Sequence, residues 1–409
     1  MKYLNKTKLV AAFGSVALAA TLSAPANAAI SLGGADGWEV TYGGFVNLFY
    51  TQSDWEYGDG RTEDSAHLNE GLLPAFHTLT VKTPEINGLK GTGQITFAPD
   101  SSGTKGLNLS KTGSGIDMRE VFFNVEGDFG TISAGRTLAL YQRQAILKDY
   151  TLFGVGASAG ADTGGTSLGR IGFGYVYPDF RTRFTYKTPD INGFVLEVGI
   201  FDPDETAPGG LFGGGNTQET DTPQFQAEAT YNTAFEGGSF NAWASFIWQE
   251  MEIAGVDDVE LFGYNVGIDV NMGGFNLMGS YYNGEALGSI FLQDLGAFGG
   301  NNGNGCATGD TACAEADNEG YIIQGAYTFN GTTKVGVSYG ESTQDANAAF
   351  GISGYKNELW SVGVYHDVNS WLKVVAEYNQ QDSNLGSAIG APGLDHSADT
   401  FSIGGFILW

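Results

Sequence analysis

Residues 262–271 alternate without a break. Phe262, Tyr264, Val266, Ile268 and Val270 fall on one side; Gly263, Asn265, Gly267, Asp269 and Asn271 fall on the other. Residues 321–330 repeat the pattern, with Tyr321, Ile323, Gly325, Tyr327 and Phe329 opposed to Ile322, Gln324, Ala326, Thr328 and Asn330. So do residues 372–379, where Leu372, Val374, Ala376 and Tyr378 face away from Lys373, Val375, Glu377 and Asn379. A period of two is the signature of a strand. The polar side here is small and wet rather than surface-charged, which points to a hydrated interior.

The N-terminus names a compartment. Lys2, Lys6 and Lys8 precede an apolar run over residues 9–22, and Ala26-Asn27-Ala28 has the form of a cleavage site. This predicts a secretory signal peptide over residues 1–28, leaving a mature domain of residues 29–409. No later stretch approaches the roughly 18 apolar residues of a membrane-crossing helix. Export then leads to the periplasm, the medium or the outer membrane. The outer membrane is the bilayer crossed by closed strands rather than apolar helices.

Composition narrows the classes. Gly is 63 of 409 residues but Pro only 10, without a three-residue period, so collagen is excluded. An aromatic content of 13% argues against disorder. A net charge of −27 makes nucleic acid a poor partner. Only four His are present, none beside a nucleophile motif, so no enzyme is expected. No cofactor is implied, and no loop has the spacing of an EF-hand.

Connections alternate in length. Tight turns are expected at 84–88, 128–129, 189–193, 237–239, 273–274, 330–332 and 369–370. Long polar segments are expected at 53–70, 99–115, 138–168, 203–221, 252–258, 286–318, 345–354 and 384–396. Two turns are near-copies, Thr83-Pro84-Glu85-Ile86-Asn87-Gly88 and Thr188-Pro189-Asp190-Ile191-Asn192-Gly193. The strand starts number sixteen; fourteen and eighteen stay open, because residues 169–180 read either as wall or as loop. In hydrocarbon an open sheet edge is not allowed, so the last strand must pair with the first. The fold expected is all-β, a transmembrane antiparallel β-barrel. Sixteen strands leave an aqueous channel where eight would fill with side chains.

Other side chains carry further expectations. Acid is frequent in the long segments: Asp54, Glu56, Asp59, Glu63 and Asp64 in the first, and Glu250, Glu252, Asp257, Asp258 and Glu260 around the fifth. These read as solubility, as a cation-attracting mouth, or as cation bridges to lipopolysaccharide phosphates. Cys306 and Cys313 sit close together in the longest loop, which predicts a local disulfide in an oxidising compartment. Tyr50, Trp243, Trp248, Tyr281, Tyr282, Trp360, Trp371 and Trp409 are expected in interfacial girdles. A sugar-stacking slide inside the bore is the alternative use of aromatics. An enzyme barrel and a periplasmic sandwich are the remaining rivals.

Residues 118–136, from Met118-Arg119-Glu120 through Asp128-Phe129-Gly130 to Gly135-Arg136, resemble the strand–turn–strand unit of Gram-negative general diffusion porins. The terminal aromatic, Trp409, resembles the family's terminal Phe. The resemblance spans the mature length. It implies a sixteen-stranded trimer with an inward-folded third loop, here residues 137–168, and passive diffusion of ions and small hydrophilic solutes. It also implies basic wall residues facing loop carboxylates. The matching positions are Arg119, Arg136, Arg170 and His77 for the bases and Asp149 and Asp162 for the acids. Implied partners are two further copies, outer-membrane lipid, lipopolysaccharide and the solutes. The loop acids lead to an expectation of mild cation selectivity, with a substrate-specific carbohydrate channel as the alternative.

Overall fold

In a computed structural model, the described residues are 29–99, 116–158, 166–203, 218–219, 221–253, 259–287, 317–345, 355–384 and 395–409. The alternating segments become one antiparallel sheet. Its strands are β1 (Glu39–Tyr57), β2 (in two stretches, Thr62–Asn69 and Phe76–Lys82), β3 (Lys90–Pro99), β4 (Ile116–Gly127), β5 (Gly130–Leu138), β6 (Phe180–Lys187), β7 (Phe194–Phe201) and β8 (Gln224–Phe235). They continue as β9 (Gly238–Ile253), β10 (Val259–Met272), β11 (Phe275–Glu285), β12 (Asp317–Phe329), β13 (Thr333–Gln344), β14 (Tyr355–Asp367), β15 (Leu372–Ser383) and β16 (His396–Leu408).

Each strand pairs with the next, and β16 returns to β1 in register from His396↔Tyr57 to Leu408↔Phe45. The sheet is thus a closed barrel of 16 strands, the expected number. Closure gives every edge N–H and C=O a partner, which hydrocarbon demands. Alternation sorts the faces. On β1, Val46, Leu48 and Tyr50 are exposed outward while Phe45, Asn47, Phe49 and Thr51 are buried inward. On β10, Phe262, Tyr264, Val266 and Ile268 face out, and Leu261, Asn265 and Asp269 face in.

The two repeated turns fold alike. Ile86 N–H donates to the Leu89 carbonyl and Ile191 N–H to the Phe194 carbonyl, each at 2.9 Å. Asn87 and Gly88 have φ of 54° and 75°, and Asn192 and Gly193 have 56° and 91°. Positive φ at both central residues is the type I′ hairpin turn, which is why Asn-Gly recurs there.

Two expectations change and one open reading is decided. Residues 53–70 are not a long loop: β1 and β2 stay paired from Phe49↔Asn69 to Glu56↔Thr62. The hairpin closes where Tyr57 N–H meets the Arg61 carbonyl at 2.9 Å. The turn-rich polar composition masked an alternation that runs through it. Residues 169–179 lie outside the wall, because β6 begins at Phe180. Trp243 and Tyr282 are not girdle residues: they face inward, 4% and 0% exposed, whereas Tyr50 and Trp360 are exposed on the outer face and Trp371 is exposed in the turn before β15.

The outer aromatics end in hydrogen bonds to acids. Tyr281 donates to Glu319 and Tyr378 to Asp399, both at 2.9 Å, and Trp248 donates to Glu260 at 2.6 Å. An aromatic ring with a polar tip suits the boundary between hydrocarbon and water. The signal peptide, Asp162, Cys306 and Cys313 lie outside the described residues.

Candidate functional site

β5 ends at Leu138 and β6 starts at Phe180. The chain between them touches inward-facing side chains over most of the ring. Leu140 and Tyr141 N–H groups both donate to Gln226 Oε1 of β8 at 2.8 Å. Gln142 N–H reaches Ser245 Oγ of β9 at 3.2 Å. A short helix, α1 (Arg143–Lys148), and a single tight turn over Tyr150–Phe153 follow. Tyr150 N–H donates to Gln324 of β12, and its hydroxyl donates to the Ser361 carbonyl of β14 at 2.8 Å. Val155 and Gly156 N–H groups donate to Glu377 of β15 at 2.8 and 3.0 Å. The Gly154 carbonyl then accepts from Leu72 N–H at 2.9 Å, beside the break in β2.

Apolar packing holds the same path. Ile146, Leu152, Val155, Ile171 and Tyr175 join Phe45, Trp243, Met278, Ile322 and Phe406 of the wall in one buried cluster. Burial of side chains this large contributes roughly 1.5–3 kcal/mol each. Gly154 is required by close approach: a Cβ there would fall 1.7 Å from Glu377 Oε1.

Charge tightens the start of the segment. Arg143 Nη2 lies 2.6 Å from Glu228 Oε1 on β8 and 2.8 Å from Glu197 Oε2 on β7. Burial opposes its charge, but the two carboxylates outweigh that and hold the guanidinium above its ordinary range. Arg183 of β6 sits 3.5 Å from Glu197. Glu120 of β4 accepts from Gln94, Thr96 and Thr137 at 2.7–2.8 Å.

The expected site residues divide. Arg119 fills a bulge in β4 between the Thr96 and Phe97 registers. It pairs with Asp117 at 2.5 Å, donates to the Tyr177 hydroxyl at 3.0 Å and lies over the Phe180 ring. Arg170 is 0% exposed; it donates to the carbonyls of Leu359 and Ser338 and to the Ser338 hydroxyl, clamping the segment to β13 and β14. Asp149 caps the tight turn, accepting from Thr151 N–H at 2.9 Å, Thr151 Oγ1 at 2.6 Å and the Tyr175 hydroxyl at 2.9 Å. Burial raises its pKa, although Arg170 and these donors pull the other way.

Two positions are corrections. His77 sits between inward-facing Phe76 and Thr78, so it projects outward, where its Nδ1 meets the Tyr42 hydroxyl at 2.6 Å and its ring packs against Trp409. Arg136 pairs with Val121 and Thr182, both outer-face residues, and shares their side. A one-residue shift in a strand exchanges faces, and motif spacing does not fix that parity. The expected polarity also reverses at the closest contact: the acids, Glu197 and Glu228, are on the wall and the base, Arg143, is on the segment. Glu197, Glu228 and Glu377 are functional candidates that the motif reading missed. Their signal was a carboxylate on the polar side of an alternating strand. Finally, Asp54, Glu56, Asp64, Glu250 and Glu260 are exposed on the outer parity of their strands, close to the strand ends.

A family model for the Gram-negative porins matches residues 14–405. Among curated proteins nothing matches. Solved structures do. The outer membrane channel DcaP of Acinetobacter baumannii is 15% identical, with 92% of this chain and 99% of that chain covered at a TM-score of 0.66. The anion-selective porin from Comamonas acidovorans is 16% identical, with coverage of 91% and 100% and a TM-score of 0.63. A trimer form of OmpT, an outer membrane protein of Vibrio cholerae, is 17% identical, with coverage of 91% and 100% and a TM-score of 0.51. At these identities the likeness is one of fold.

Proposed function

The chain belongs to the Gram-negative porins, and from that membership we propose that it is a narrow passive channel, sorting solutes by size first and by charge second. A general diffusion channel of the outer membrane is what the family provides. The single observation supporting the narrow form is the segment over residues 139–158 and 166–179, whose apolar side chains join β1, β9, β11, β12 and β16 across the interior. It is this chain's constriction. A hydrated solute that keeps its shell avoids the cost of desolvation, so bore width sets the limit.

The protein works without chemistry, as a homotrimer in outer-membrane lipid and lipopolysaccharide. Mild cation selectivity draws on the net charge of −27. The outward position of Asp54, Glu56, Asp64, Glu250 and Glu260 takes those acids off the solute path, so charge preference is weak and set at the constriction. Trp243 and Tyr282 are covered inside the barrel and offer no slide for sugars. The test is reconstitution into liposomes and planar bilayers. Salts and small sugars pass and larger oligosaccharides do not; liposomes that stay impermeable to salts and small sugars overturn the reading.

A further inference from the structure

The wall itself bends inward between the two stretches of β2. Phe45 pairs with Phe76 and Phe49 with Asn69, so residues 46–48 of β1 lie opposite residues 70–75. β1 keeps its ladder to β16 through the same stretch, from Val46↔Ile407 to Leu48↔Gly405. The extra residues of β2 leave the sheet toward the interior, where Glu70, Leu72, Leu73 and Ala75 are buried. Pro74 has no N–H to give to a ladder. Gly71 has no side chain, and a Cβ there would fall 2.1 Å from the Gly154 carbonyl oxygen. Val46 and Leu48 are exposed on the outer face, so the break lies in the apolar band. Irregular backbone is tolerated at that depth only where protein buries it.

The polar main-chain groups of the fold find partners inside the barrel. Leu72 N–H donates to the Gly154 carbonyl at 2.9 Å, and the Gly71 carbonyl accepts from Ser167 N–H at 3.0 Å. Asn47 of β1 serves two more. Its Oδ1 accepts from Gly71 N–H at 2.9 Å, and its Nδ2 donates to the Leu73 carbonyl at 2.8 Å. One buried wall amide thus holds residues 71 and 73, and residues 71 and 72 hold the segment at Gly154 and Ser167.

We propose that residues 70–75 are a second constriction element and that Asn47 is its positioning residue; the proposal rests on the channel reading and adds a residue that sets its size limit. The fold brings Leu72, Leu73 and Phe76 against Ile146 and Leu152 of the segment, and with Arg119 they line a cavity of about 30 Å3. That is about one water molecule's share of the liquid. Elsewhere hydrogen bonds tie the segment to β8, β9, β12, β14 and β15. At this seam the side chains meet by apolar contact, which is non-directional. The Asn47 amide supplies the direction, and a fold that retreats toward the wall widens the seam.

The experiment compares full-length Asn47→Leu, Asn47→Asp, Leu73→Ala and Asn241→Leu with wild type. Hydrogen exchange in detergent follows residues 70–75, and liposome swelling in a graded sugar series reads the size limit. Asn47→Leu keeps the branched shape but removes both bonds. Exchange at Gly71 and Leu72 rises on the order of tenfold, and the limit moves to a larger sugar. Asn47→Asp keeps the acceptor for Gly71 N–H and falls between, and it gives the answer if the Leu variant does not fold. Leu73→Ala shortens the seam and moves the limit the same way. Asn241→Leu makes the same exchange on β9, where Asn241 meets Asn232, and lowers the melting temperature without moving the limit. Wild-type exchange and limit in the Asn47 variants, or an equal shift of the limit in Asn241→Leu, overturns the proposal. A wild-type protein that conducts nothing overturns the channel reading, while exchange still decides whether Asn47 positions the fold.

Discussion

Arg143 and Glu228 meet at 2.6 Å inside the barrel, near the start of the segment that links β5 to β6. Both are nearly fully buried, and Glu197 shares the same guanidinium at 2.8 Å. Breaking a buried pair by removing one partner leaves uncompensated charge, at roughly 3–5 kcal/mol. Arg143→Met therefore lowers thermal stability and loosens the segment. Thermal unfolding in detergent and single-channel recording check this. The double variant with Glu228→Gln recovers part of the loss; no recovery would show that the two residues act independently.

The second anchor is Glu377. Its carboxylate holds Val155 and Gly156 N–H groups and leaves no room for a side chain at position 154. Gly154→Ala displaces this carboxylate and strands two buried donors, costing on the order of 1–3 kcal/mol. The expected readout is a noisier channel with a higher mean conductance. A variant with wild-type current traces would remove Glu377 from the constriction.

Arg119 and His77 make a matched pair of tests, since one faces the interior and the other the outside. Arg119→Ala shifts the reversal potential in a salt gradient, and His77→Ala leaves it unchanged. A shift in the His77 variant would contradict the register assigned to β2.

Asp149 carries a pH dependence. Burial raises its pKa above the ordinary aspartate value. A carboxyl whose folded pKa is raised favours folding most at low pH, and that favour is lost as pH rises through the folded value. Asp149→Asn keeps an acceptor for Thr151 without the charge, so its melting temperature changes less than wild type between weakly acid and neutral pH. Parallel slopes for the two proteins would rule out Asp149 as the titrating group.

Strand order, closure and the alternation of faces were legible in sequence, because a period of two is a local property of the chain. The strand count of 16 followed from turns that carry their own chemistry, such as Asn87-Gly88 and Asn192-Gly193 with φ above zero. Residues 53–70 misled because charge and Gly there outweighed a pairing visible only beside its partner strand.

By itself the sequence determined a closed wall, greasy outside and polar within, since hydrocarbon permits no other arrangement of these segments. What only the tertiary structure decided is which charges meet inside it. Arg143 lies 54 residues from Glu197 and 85 from Glu228 along the chain, and no local pattern relates them. Arg136 and His77 faced outward for a similar reason: parity at a bulge or strand break depends on the neighbouring strand's register. Electrostatics across a bore is a property of the closed ring.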